Sequence, residues 1–590
     1  MKAHLGVLLE SALASVTAGR PLDVPPTPQV DATKDPRFGD FQTNLALMLA
    51  KPLGLPPRKV AEALVAALPP SDRVAKVDIA GPGFINFHLA PAAFQAVVPD
   101  ILAAEARYGR DDSGGRGRIM VEFVSANPTG PMHVGHGRNA AYGDTVANLL
   151  EAAGWRVWRE YYINDAGRQT DVLTVSVWLR YLQRCGVALA FPKRAYPADY
   201  IRVTADRLYD EVGADAFRVA GIDELPTEEV AAEGADDAEK NRVKLSQEAH
   251  IDRWITLGRE GLGADYERIR HAALTDQLAA IRATLAAFSV RFDQWTSEAD
   301  LVARGAVDKA LKRLGEQGLT YTRDGAVWMK SEAFGDEKDR VLIKADGAAT
   351  YYCNDLAYHV DKLDRDWPRL LDVWGADHHG YIARVRAAIE ALTGRNDALD
   401  VQLIQFVTLS SGRMGKRSGN FVTLKELIDE AGADATRFFY LMRGHEQHLE
   451  FDVDLAKSRS TDNPVYYVQY AHARLCSVFA QLAESGAVYD RATGLAHLAR
   501  LDNEHEKRLL TALARFPDVI ASAAQDLAPH RMAFYLKDEL ADAFHSYYNA
   551  HKFLVDDAAL QAARLALCEA TRLVLGNGLA LLGVSAPERM

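Results

Sequence analysis

Two short stretches of the chain carry residue types suited to handling polyphosphates. His133-Val134-Gly135-His136 stands between a run of apolar residues and a helical pattern. In a parallel α/β sheet, ligands sit beyond the carboxyl ends of strands, where helix N-termini turn free N–H groups toward anions. Two imidazoles there can hydrogen-bond phosphate oxygens and stabilise charge that builds at a phosphoryl centre. Gly135, lacking a side chain, would let a base or ribose approach the backbone. Taken alone, the four residues could equally be surface or capping histidines at a helix start. The second stretch is Ser411-Gly412-Arg413-Met414-Gly415-Lys416-Arg417-Ser418-Gly419-Asn420, after a late strand-like run. Arg413, Lys416 and Arg417 are cations able to close over a triphosphate. A solvated basic turn is the competing reading for such a loop by itself. Two phosphate-seeking loops after two buried strands of one sheet are far more specific than either alone.

The surrounding patterns supply the elements that would position these loops. Arg118 to Ser125 is almost continuously apolar, as expected for a strand buried on both faces of a parallel sheet. A helix is expected after the histidines, up to Gly154, then a strand from Arg156 to Tyr162. This makes a right-handed βαβ unit. Parallel-sheet character returns with a strand at Leu371–Trp374, a helix at Tyr381–Leu392 and a strand at Val401–Leu409. Thr423 with Glu426 forms a capping box for the next helix. Between these halves, residues from about 170 to 340 read as a helical, charged insertion, with an acidic, solvated stretch from Glu224 to Glu239.

The ends of the chain differ from the middle. Leu5, Leu8, Leu9, Leu13 and Val16 fall at helical spacing. A second helical pattern runs from Val60 to Leu68, then extended segments from Ala75 to Leu89 turn at Gly81-Pro82-Gly83. Asp111-Asp112-Ser113-Gly114-Gly115 reads as a linker, and from Asn463 onward the pattern is helical. The fold class expected is therefore multidomain α/β. Residues 1–112 form an α+β domain, 116–460 a Rossmann-type parallel-sheet domain with the helical insertion, and 461–590 an all-α bundle.

Composition narrows the function classes. A chain of 590 residues is too long for one core, which rarely organises more than about 250 residues. A net charge of -12 argues against a generally sticky nucleic-acid binder, although basic groups can still gather on one face. The four cysteines are far apart and form no CxxC pair, so neither a zinc knuckle nor a disulfide framework is expected and a reducing cytoplasm fits. No apolar run suits a signal peptide or a membrane span.

The two loops together resemble the HIGH and KMSKS signatures of class I aminoacyl-tRNA synthetases. Arg413 stands where the first lysine of the second signature usually is, and Gly415 where its serine is; Lys416 matches the second lysine. A closer resemblance is to bacterial arginyl-tRNA synthetases. It is carried by Val121-Glu122-Phe123-Val124-Ser125-Ala126-Asn127-Pro128-Thr129-Gly130-Pro131-Met132-His133, by Asn164-Asp165-Ala166-Gly167-Arg168-Gln169 and by Trp374-Gly375-Ala376-Asp377-His378-His379-Gly380-Tyr381. Asn463 to Arg474, the terminal Ala586-Pro587-Glu588-Arg589-Met590 and Phe38-Gly39-Asp40-Phe41-Gln42-Thr43-Asn44 carry it toward both ends.

That resemblance implies an enzyme that joins L-arginine to tRNA(Arg) with ATP, releasing AMP and diphosphate. Mg²⁺ would arrive with ATP and not in a dedicated protein metal site. It implies His133, Gly135, His136, Met414 and Lys416 at ATP, with His133, His136 and Lys416 catalytic. Glu122, Ser125, Asn127, Tyr351 and Asp355 would hold arginine, with Asp377 or His378 completing the pocket. Asp355 and Glu122 suit the task because a guanidinium is best held by carboxylates in a forked geometry. The family further implies tRNA contacts by the N-terminal domain through Phe38, Gln42 and Asn44. The C-terminal anticodon-binding bundle would use Tyr470 and Arg474. A cytoplasmic monomer that activates arginine only with tRNA bound is expected. The rival readings are a smaller-substrate adenylyltransferase of the same fold and a synthetase-like tRNA binder without catalysis.

Overall fold

The computed structural model describes residues 1–18, 26–33, 36–222, 228–232, 234–410 and 422–590. The basic loop with Arg413, Met414 and Lys416, and part of the acidic stretch, lie outside them. The centre is a five-stranded, wholly parallel sheet. Its elements in chain order are β1 (Gly117–Glu122), α1 (Val134–Ala152), β2 (Trp155–Ile163), β3 (Gln294–Ser297), α2 (Tyr351–Asp364), β4 (Leu370–Gly375), α3 (Ile382–Thr393) and β5 (Leu399–Ile404). The strands lie side by side as β5-β4-β1-β2-β3. This doubly wound order reverses direction between β1 and β4, so the ligand crevice is expected at the carboxyl ends of those two strands.

Several elements depart from the sequence pattern for identifiable reasons. The first strand ends at Glu122, not Ser125, because Val124 and Ser125 turn to φ of 68° and 39°. A β-branched residue at positive φ is strained by roughly 1–3 kcal/mol, and such strain persists only where neighbours enforce it. Here Asn139 on α1 accepts from Val124 N at 2.7 Å and donates to Val373 O of β4 at 3.0 Å. The run Val401–Leu409 is broken at Gln405. There the Arg138 guanidinium takes the Gln405 carbonyl, and the residues beyond it, Val407–Leu409, pair instead with Leu449–Phe451. The region read as a helical insertion holds the helices Arg168–Arg184, Asp199–Val212, Asp237–Leu262 and Ala264–Ala287. Beyond that it contributes β3 to the central sheet and an antiparallel three-stranded sheet spanning Thr320 to Ile343.

The N-terminal unit packs the helices Lys2–Thr17, Leu45–Leu53 and Pro57–Ala67 against a four-stranded antiparallel sheet. Strands Val74–Ala80 and Phe84–Leu89 meet at the Gly81-Pro82-Gly83 turn. From Pro464 the chain is a helical bundle. Among the described residues no helix is long and apolar enough to cross a membrane.

One buried arginine fastens the bundle to the sheet unit. Arg437 pairs with Asp144 of α1 and donates to the carbonyls of Leu582 and, at 2.9 Å, Phe288. It joins α1, the end of the helical insertion and the last helix of the chain. Removing one partner of a buried pair strands the other charge, at a cost of about 3–5 kcal/mol. Arg437→Ala should therefore lower the first thermal unfolding transition by several degrees. The double variant Arg437→Leu/Asp144→Leu should recover much of that loss; a melt unchanged by Arg437→Ala would contradict the clamp.

Candidate active site

The histidine pair forms the N-terminus of α1. His133 is the N-cap, and its Nδ1 accepts from Gly135 N at 3.1 Å and His136 N at 3.3 Å. His136 reciprocates, its Nδ1 accepting from His133 N at 3.3 Å. The rings stack with centroids 3.6 Å apart. The capping reading of these residues is thus correct as local structure. It also fixes chemistry: an Nδ1 that accepts from backbone N–H carries no proton, so each neutral ring keeps its proton on Nε2 as a donor. Burial, reinforced by His133, pushes His136 down to about 3. Burial also lowers His133, opposed by Asp377. Gly135 is needed by this arrangement itself, since a Cβ there would lie 3.0 Å from the His133 ring.

The segment after the basic loop returns to these histidines. Val134 N donates to Val422 O, Leu424 N donates to Met132 O at 2.7 Å, and His133 pairs with Thr423 across an isolated bridge. Thr423 and Glu426 form the expected capping box. The chain thus re-enters beside His133, directly after Arg413, Met414 and Lys416 in sequence.

Beyond the switch point lies a pocket of carboxylates. Asp355, on α2, accepts from the Tyr381 hydroxyl at 2.5 Å. Glu298, the residue after β3, accepts from Asn354 Nδ2 at 3.1 Å. Asn354 immediately precedes Asp355, and the Asp355 charge acts on Glu298, so the two carboxylates are neighbours. Burial raises the pKa of each: Tyr381 opposes this at Asp355, while the Asp355 charge adds to it at Glu298. Among the described residues neither forms an ion pair. A half-buried and a buried carboxylate without a cation among the described residues are costly when ionised unless a cationic ligand completes them. Tyr351 stands at the first position of α2, 80% exposed, where core packing would have hidden it.

Under this pocket runs a row of charge. Glu122 on β1 is in register with Glu160 on β2 and with Asp372 on β4. Cross-strand partners point to one face, and α2 covers it. Lys362 of α2 donates to Glu122 Oε2 at 2.5 Å and Asp372 Oδ1 at 2.9 Å. Arg365, which follows α2, forks onto Glu160 at 2.7 and 2.6 Å. His359 joins Asp372 at 2.9 Å and the Asp355 carbonyl at 2.8 Å. Burial would push Asp372 up, but Lys362 and His359 outweigh it and hold it at about 2. Glu122, where burial and the Asp372 charge outweigh Lys362, is raised.

The structure thus gathers Glu122, Ser125 and the histidines at the carboxyl ends of β1 and β4, with Asp355 on the adjoining α2. Ser125 donates to Glu122 Oε1 at 2.8 Å and accepts from Tyr162 N at 3.1 Å. Asn127 sits at the rim, its amide donating to Gln169 at 2.8 Å. Asp377, in the exposed turn after β4, lies near enough to His133 to influence it. Phe38 and Asn44 are exposed and Gln42 half-buried on the N-terminal unit. On the bundle, the Arg474 guanidinium lies 4.3 Å over Tyr470 and 4.6 Å over Tyr548. Sequence reasoning missed Glu298, Lys362 and Tyr381. An acid directly after a parallel strand is the signal for Glu298, but the four-residue β3 was hidden behind a long helical stretch.

Comparison with known proteins gives this arrangement a class. Residues 97–187 and 254–450 match the catalytic domain of class I (R) tRNA synthetases. Residues 4–89 match the arginyl tRNA synthetase N terminal domain, and 468–590 the DALR anticodon binding domain. Arginine–tRNA ligases of Thioalkalivibrio sulfidiphilus and Halorhodospira halophila are 51% and 50% identical, each over 100% of both chains. That of Legionella pneumophila is 47% identical, again over 100% of both. The Thermus thermophilus arginyl-tRNA synthetase shares the fold with a TM-score of 0.72, at 24% identity over 100% of both chains. The parallel-sheet unit is a class I tRNA synthetase catalytic domain. The chain as a whole belongs to the arginine–tRNA ligase family.

The cap bonds predict a pH response. Unfolded histidine takes a proton near its ordinary value of about 6.5, whereas folded His136 resists protonation down to about 3. Stability is therefore full above the unfolded value and falls as pH drops below it. Nitrogen-15 NMR should show a neutral His136 ring from about pH 8 down to pH 5. A ring titrating near the free-histidine value would contradict the cap assignment.

Proposed function

We propose that the protein activates L-arginine with ATP and transfers it to the 3′-terminal adenosine of tRNA(Arg), releasing AMP and diphosphate. The observation that carries the reading is the pair of a half-buried Asp355 and a buried Glu298, carboxylates with no ion-pair partner among the described residues. A guanidinium, planar and always charged, suits such a pair better than a lysine ammonium does. Tyr351 would pack on the substrate side chain. Glu122 would receive the α-ammonium, with Ser125 and Asn127 at the polar head and Asp377 near the crevice.

The arginine carboxylate attacks the α-phosphorus of ATP in line, and pyrophosphate leaves. A ribose hydroxyl of the tRNA end, the 2′-hydroxyl in class I chemistry, then attacks the adenylate carbonyl and AMP leaves. The protein positions the reactants and stabilises charge. His133 and His136 donate from Nε2 toward ribose and phosphate oxygens, and Gly135 leaves room at the helix start. Met414 and Lys416 belong to the loop whose far end is pinned at His133, and Lys416 faces the leaving pyrophosphate. Mg²⁺ travels with ATP, and the protein works as a cytoplasmic monomer. The junctions between its three units fall near 112–116 and 460–461. Tyr470 and Arg474, with Tyr548, give a stacking and cationic face for the anticodon. Phe38, Gln42 and Asn44 take the tRNA elbow.

Charging assays with each amino acid test the assignment: arginine alone should be esterified to tRNA. Asp355→Asn and Glu298→Gln should each raise the KM for arginine on the order of 100-fold, with the KM for ATP little changed. Lys416→Ala should slow adenylation with little effect on arginine affinity. Charging of another amino acid, or an unchanged arginine KM in both carboxylate variants, would overturn the reading.

A further inference from the structure

Lys362 is 0% exposed at its side chain, in the last turn of α2 on its inner face. Burying an ammonium costs several kcal/mol, and replacing a buried ion cluster by apolar side chains is often neutral or stabilising. Stability therefore does not account for a lysine here. The cluster it serves sets Glu160, Glu122 and Asp372 against Lys362 and Arg365, with His359 beside Asp372. The groups facing Glu122 are Tyr358, His359 and Lys362 from α2, Asp372 from β4, and Glu160 and Tyr162 from β2.

Both oxygens of Glu122 are held. Oε2 takes the Lys362 ammonium, and Oε1 takes the Ser125 hydroxyl, which itself accepts from Tyr162 N. Lys362 spends a second donor on Asp372 and lies 4.5 Å from the Tyr358 ring. Without that ammonium, Glu122 would be a buried carboxyl beside Asp372, two like charges in one site, and would hold its proton to higher pH than it does now. A protonated Glu122 could not attract an α-ammonium.

We infer that Lys362 is a positioning residue for the amino-acid substrate: acting through Glu122, it keeps that carboxylate ionised and aimed at the crevice for the α-ammonium. The inference rests on the reading of Glu122 given above.

The test uses the full-length protein and two ligands, L-arginine and 5-guanidinopentanoate, which lacks the α-amino group. Glu122→Gln checks the parent reading by itself. It should weaken arginine and spare the deamino analogue, and equal effects on both would remove Glu122 from the ammonium site. Lys362→Met should weaken arginine about ten-fold or more at pH 6.5, since each pH unit below a carboxyl's pKa costs about ten-fold in the ionised form. The loss should shrink as pH rises toward 8, because Glu122 ionises, while the analogue binds as in the parent protein at every pH. Lys362→Arg should restore arginine binding and abolish the pH dependence. If Lys362→Met does not fold, Glu122→Gln/Lys362→Met decides instead: it should bind arginine no worse than Glu122→Gln alone. Equal loss for both ligands without pH dependence, or a double variant about ten-fold worse than Glu122→Gln, would overturn the inference.

Discussion

Three carboxylates in one register row, Glu160, Glu122 and Asp372, lie buried across the middle strands of the parallel sheet and must be matched by cations from α2. Lys362 and Arg365 meet that demand. Because the ions are buried, their geometry is demanding, so α2 has little freedom to slide or rotate on the sheet. That fixes Asp355, one turn before His359 on α2, relative to Glu122 at the end of β1. The distance between the proposed guanidinium and α-ammonium positions is thus set by ion pairs beneath the site and not by the loops above it.

The two ends of the crevice are built differently. The end proposed for phosphates is backbone and cap: His133 and His136 are locked by the helix terminus they cap, and the pinned Val422–Leu424 segment closes against them. The end proposed for the amino acid is charge: two carboxylates with raised pKa values, held by Tyr381 and Asn354, have no ion-pair partner among the described residues. Between them the strained pair Val124 and Ser125 redirects the chain from β1, held by Asn139 and by Ser125's bonds to Glu122 and Tyr162. Backbone strain sits where the site needs an abrupt turn, and hydrogen bonds from three elements sustain it.

Much of this was legible in the sequence, and the rest was hidden for physical reasons. The apolar run before His133 announced a doubly buried strand, because parallel strands leave little room for alternation. Asp355 and Glu122 were expected in the arginine site from the family resemblance. Lys362 and Arg365 were not, since charges on a helix ordinarily mark its solvated face and only the register of three strands shows that they point inward. Glu298 escaped because β3 is four residues long and follows a long helical stretch, so no periodicity marked it. The break at Gln405 depends on Arg138, 267 positions away, and no local pattern reports such a partner.

The central claim is that charge, not shape, selects the substrate at Asp355 and Glu298. Calorimetric titration of the protein with L-arginine and with L-citrulline tests it most directly, since the urea of citrulline copies the guanidinium in size without its charge. Arginine should bind tighter by about a hundredfold or more, the cost of leaving buried carboxylates uncompensated. Equal affinity for the two would contradict the account.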